Sequence, residues 1–134
     1  MKQPTIYTAI DIQKIEEVAL ALVEEQLIAY NNRDIEAFLK PFSENVKVFN
    51  YPNQFLYEGK GEMRTIYARL FDACPNLHCK TISRTVFKDI VIDKEQVTGR
   101  KVKVENVIAH FIAIYKIESN KISEVRFMQY FSQH

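Results

Sequence analysis

Residues 104–117, VENVIAHFIAIYKI, decide how the rest of the chain is read. The run is apolar on both alternating sets of positions. Val107, Ala109, Phe111, Ala113 and Tyr115 form one set, and Ile108, Ile112 and Ile114 the other. Branched and aromatic side chains without an internal Gly or Pro suit a long central strand covered on both faces. A buried helix segment shares that pattern over so short a run. His110 interrupts the second set. If that face is covered, its imidazole needs a hydrogen-bond partner or a water-lined hollow, because an unpaired buried polar group costs about 1–3 kcal/mol.

Working outward, residues 78–88 and 90–98 read as two further strands, turned at Lys88-Asp89 and at Gly99-Arg100-Lys101. The charges at Arg100, Lys101 and Lys103 read most simply as a solvated hairpin tip. The long strand is expected over 102–117, and Ser119-Asn120-Lys121 turns it into a last strand, ISEVRFMQYF. There Val125, Phe127 and Phe131 share one side. Upstream, residues 46–51 and 55–59 form a strand pair around Pro52-Asn53, with Val46, Val48 and Asn50 on one face.

The first half is helical. From Asp11 to about Asn31, Ile12, Ile15, Ala19, Leu22, Val23 and Tyr30 fall on one face. Gln26 lies near the middle of that stripe, a second polar intrusion. Asp34 caps a short helix limited by Pro41, and Gly59-Lys60-Gly61 opens a third from about Glu62 to Ala73. Met63, Ile66, Tyr67, Leu70 and Phe71 lie on its buried side. Helices first and consecutive strands last imply an α+β domain, its helices on one face of a mainly antiparallel sheet.

The totals narrow the function classes. A chain of 134 residues is expected to form one domain over 1–134, with residues 1–9 a loose lead-in. Lys and Arg (18) nearly balance Asp and Glu (17), which leaves no field to hold nucleic acid or an anionic membrane. No apolar run is long enough to span a bilayer and no signal-like core opens the chain, so a cytoplasmic location with free Cys74 and Cys79 is expected. Three histidines and no Cys/His or carboxylate cluster at ligand spacing imply no metal site and no cofactor.

Several phrases resemble one family: AYNNRDIEAFLKPFSENVKVFNYP (29–52), GKGEMRTIYARLF (59–71), DKEQVTG (93–99) and AIYKIESNKISEVRFM (113–128). In order and spacing they are similar to the SnoaL-like, ketosteroid isomerase-like branch of the nuclear transport factor 2-like superfamily. The resemblance implies a cone: N-terminal helices packed in a strongly curved sheet that leaves a pocket at one end. It also implies a homodimer through the outer sheet face, which the apolar second face carrying Phe111, Tyr115 and Phe127 is expected to supply. Position by position, the family's proton-moving aspartate falls on Asn50, its oxyanion-hole tyrosine on Gln26 and its protonated aspartate on His110, while a supporting tyrosine is retained as Tyr67. All three main positions differ chemically, so ketosteroid isomerisation is not implied. Relatives that open epoxides use an Asp–Arg–Asp set. Arg84 is placed to point inward, but no inward aspartate is expected to meet it.

The expected site therefore has His110 as proton shuttle, with Gln26 and Tyr67 donating to developing oxygen charge. Asn50, Tyr30, Phe38, Tyr51 and Ile112 line the pocket around a small hydrophobic ligand. Two readings remain open for function: acid–base isomerisation, cyclisation or dehydration, and ligand binding or dimerisation without catalysis. His110 as a bonded core residue is equally consistent with the sequence.

Overall fold

The computed structural model describes residues 2–133; Met1 and His134 lie outside it. Helix α1 (Ala9–Asn31) starts at a reciprocal cap. Thr8 Oγ1 accepts from the Asp11 N–H at 3.0 Å, and the Asp11 carboxylate accepts from the Thr8 N–H at 3.2 Å. The helix buries Ala19, Val23, Gln26 and Ala29. Arg33 turns through a positive φ of 51°, and the Asp34 side chain caps α2 (Ile35–Leu39). Strand β1 (Phe42–Asn50), strand β2 (Gln54–Glu58) and helix α3 (Lys60–Ala73) follow, then β3 (His78–Phe87), β4 (Ile90–Thr98), β5 (Val107–Glu118) and β6 (Lys121–Gln133).

The six strands form one curved, unclosed sheet in the order β2-β1-β6-β5-β4-β3. Only β1 and β6 run parallel; the other pairs are antiparallel. The β5–β6 turn places Ser119 and Asn120 at φ 50° and 59°, the left-handed pair that matches the twist of a tight hairpin. Helix α1 packs on β3, β4 and β6, and α3 on β1 and β2, so both helices lie in the hollow of the sheet. The α+β cone expected from the sequence is the fold observed.

The β5 strand faces the helices with Ala109, Phe111, Ala113 and Tyr115. The two alanines are 1% and 0% exposed, leaving room for α1 in the tightest part of the curve. Its other set, Ile108, His110, Ile112 and Ile114, lies on the outer face. The strand also begins later than expected. Val102 and Val104 are exposed, and Asn106 adopts φ 56°, which interrupts the extended backbone before Val107.

Candidate functional site

Between the helices and the sheet lies a cavity of about 190 Å³. One wall is aromatic. Phe38 and Tyr67 pack with centroids 4.5 Å apart, and Tyr30 meets Phe71 edge-on at 5.6 Å. The opposite wall comes from the inward positions of β4, β5 and β6: Glu95 and Val97, Phe111 and Tyr115, and Val125, Phe127 and Gln129.

Of the residues expected from the sequence, Gln26, Tyr30, Phe38 and Tyr67 line this cavity. His110 does not. It sits on the outer face, where its ring stacks on Tyr130 at 4.5 Å and Nε2 shares a 2.7 Å hydrogen bond with Ser132 Oγ. Ile112 lies beside it in a shallow outer depression with Lys94, Gln96 and Met128. Alternation separates the two sets of a strand but does not say which set faces the helices. Here the alanine-bearing set does, which places His110 and Ile112 on the far side. For the same reason Phe111, Tyr115 and Phe127, expected on a dimerising outer face, line the cavity instead. Asn50 stands outside the lining as well, its amide donating to Gln54 Oε1 across the β1–β2 turn at 3.1 Å. Tyr51 lies beyond the strand end and is 53% exposed.

Gln26 holds a different position in the chemistry from the one expected. Its Nε2 donates to the Val23 carbonyl at 3.0 Å and to Tyr115 Oη at 3.2 Å. The carbonyl fixes the nitrogen on that side, and both amide protons are then committed. Tyr115 Oη therefore accepts from Gln26 and keeps its own proton for donation. Burial, reinforced by Glu95, raises the Tyr115 hydroxyl well above its ordinary range, so it stays a neutral donor. Burial likewise pushes Tyr67 up to about 12, with Glu95 adding to the push.

The sequence reading missed Glu95. The residue is 6% exposed, and its carboxyl has no cation in ion-pair reach among the described residues. Burial first, and the charge of Asp93 second, push it up from 4.5 to about 7, while the Cys79 thiol and the more distant charge of Arg84 pull the other way. Burial also raises that thiol above its ordinary range. Thr81, opposite Glu95 in the β3–β4 ladder, carries a buried hydroxyl with no hydrogen-bond partner among the described residues. The signal was present in IVIDKEQVT, where Asp93 and Glu95 alternate in step with Val91 and Val97.

Asp93 also corrects the expectation that no aspartate would face Arg84. The β3–β4 register shifts between Thr81 and Ser83, and this bulge brings Arg84 opposite Asp93 on the inner face. Arg84 donates Nε to Asp93 Oδ1 at 2.7 Å and Nη2 to Oδ2 at 2.9 Å, and Nη1 to Glu24 at 2.6 Å. This closed ion group lies beside the cavity without lining it. Among the described residues, no three His, Cys, Asp or Glu side chains are grouped to hold a metal ion.

The sequence profile of the SnoaL-like domain matches residues 23–125. No curated protein matches the chain. Among solved structures it is similar to an uncharacterised cystatin-fold protein from Novosphingobium aromaticivorans, at 24% identity and TM-score 0.72, covering 82% of this chain and 97% of that one. A candidate SnoaL-like polyketide cyclase from Jannaschia sp. CCS1 superposes at TM-score 0.69 and 15% identity, covering 94% and 91%. An LEH-like epoxide hydrolase from M. tuberculosis does so at 0.66 and 15%, covering 87% and 84%. At these identities the structures share the fold, and the profile carries the assignment. The chain belongs to the SnoaL-like family.

Proposed function

We propose that the cavity binds a small hydrophobic molecule bearing a carbonyl and that Glu95 moves a proton on it, the chemistry of an isomerisation, cyclisation or dehydration. One observation carries this reading. A buried carboxyl, pushed up to about 7 by burial and by the charge of Asp93, lies on the wall of a mainly apolar hollow, with no cation in ion-pair reach among the described residues. Such a group exchanges protons near neutral pH, as a general acid or base must. Tyr115, oriented by Gln26, and Tyr67 supply phenolic donors for the oxygen charge that develops when a proton leaves the adjacent carbon. His110 takes no part, being separated from the hollow by the sheet.

The test uses acetylnaphthalene, an apolar ketone with exchangeable protons next to its carbonyl. Its uptake of deuterium from deuterated water is followed by NMR. Native protein should accelerate exchange over buffer, Glu95→Gln should lower the protein-catalysed rate by roughly 100-fold or more, and His110→Ala should leave it unchanged. Equal rates for native protein and Glu95→Gln would remove the acid–base reading and leave ligand binding without catalysis.

The outer face belongs to the same proposal. Ile92, Met128 and Tyr130 are exposed there beside His110 and Ile112. A second copy of the chain would cover them and leave both cavities on the far side of the sheets.

A further inference from the structure

Arg100 follows the end of β4, and its backbone is held on both sides. Gly99 adopts φ +79° and lies so close to the 76–77 backbone that a Cβ there would stand 2.0 Å from the Asn76 carbonyl oxygen. Only glycine fits that approach. On the other side, the Lys101 N–H donates to Cys74 Sγ at 3.4 Å. Between these anchors the Arg100 side chain turns into the cavity wall, with Cζ 5.7 Å from the centre of the Phe131 ring. Its charge reaches Tyr30 and Tyr67, favouring the ionised form of each hydroxyl.

The guanidinium is half-buried and has neither a carboxylate in ion-pair reach nor a hydrogen-bond acceptor among the described residues. The other five arginines differ. Arg64, Arg84 and Arg126 are held by carboxylates and Arg33 by carbonyls, and Arg69 is exposed to solvent. A ligand entering the cavity strips water from Arg100. An anion on the ligand offsets that loss best, since a charge-assisted hydrogen bond is roughly twice as strong as one to a neutral acceptor.

Building on the pocket reading above, the geometry points to a ligand that is an amphipathic carboxylate: an apolar body against Tyr30, Tyr67 and Phe127, and one carboxylate taken by Arg100. A single planar guanidinium matches a single carboxylate through two parallel hydrogen bonds. A phosphate dianion would call for further positive charge, and the lining has no second cation. Glu95 and Arg100 line the same cavity from β4 and the turn that follows it, so one ligand can meet both.

Calorimetric titration with naphthoate, its methyl ester and acetylnaphthalene tests this. Naphthoate should bind native protein about tenfold tighter than the ester. Arg100→Gln should remove that preference while leaving the affinity for the ester and ketone in place, and Arg100→Lys should restore part of it. Equal affinity for acid and ester in the native protein, or an undiminished preference in Arg100→Gln, would overturn the carboxylate assignment and leave the pocket reading standing. Failure of all three probes to bind would overturn both.

Discussion

Glu95 and Asp93 lie two positions apart on β4, so both carboxyls point to the concave face, and their environments set them different tasks. Asp93 is fully buried and gripped by Arg84; Glu95 lacks such a grip and faces the hollow. The stability of the protein should record this. Burial pushes the Glu95 carboxyl up from its ordinary 4.5 to about 7 in the folded state. Since the folded value is the higher, the native state holds the proton more tightly. The contribution is full below about 4.5, declines as pH rises, and is lost above about 7. The full span corresponds to on the order of 3 kcal/mol. Urea denaturation should therefore show native protein losing stability between those limits. Glu95→Gln should flatten the profile there and be the more stable of the two at about pH 8. A native profile with no fall across that window would contradict the burial of an unpaired carboxyl.

At the scale of elements, the bulge in β3 decides which side Arg84 faces. Strict alternation from Cys79 would turn Ser83 inward and Arg84 to solvent. The extra residue in this stretch leaves Ile82 and Ser83 both exposed and returns Arg84 to the inner face opposite Asp93. Breaking this buried pair from one side strands a carboxylate in the interior. Arg84→Met should cost about 3–5 kcal/mol in chemical denaturation, and adding Asp93→Leu should recover most of it. A single substitution costing no more than an exposed ion pair, about 1 kcal/mol or less, would show that the pair is solvated. The sequence reading expected an inward Arg84 without an aspartate to meet it, and it held no sign of the bulge that brings the two together. A bulge depends on cross-strand pairing, which one strand's alternation cannot report.

At the scale of the molecule, the curved sheet divides two chemistries. Its hollow holds Glu95, the tyrosines and Arg100. Its back presents the imidazole of His110 stacked on Tyr130 among Ile92, Ile112 and Met128. If a second copy covers this face, native protein should sediment as a dimer at micromolar concentration. Tyr130→Glu, which sets a charge at a position 64% exposed in the single chain, should shift it to a monomer. A monomeric mass for the native chain under the same conditions would leave the back of the sheet without its proposed cover. No helix among the described residues is long and apolar enough to cross a membrane.

The sequence by itself determined the order of the elements, the cap at Asp34, the turn at Ser119-Asn120 and the α+β class, because each follows from neighbours close along the chain. It also marked Gln26 as a polar group on an apolar stripe, a matter of helical period alone. Only the tertiary structure decided which side of β5 meets the helices, and with it that His110 lies outside while Phe111 and Tyr115 line the hollow. It alone brought Glu95 beside Cys79 and turned Arg100 from an expected solvated tip into part of the cavity wall. Period two along a strand gives two faces related by a half-turn; curvature and helix packing choose between them, and those forces come from residues far away in the chain.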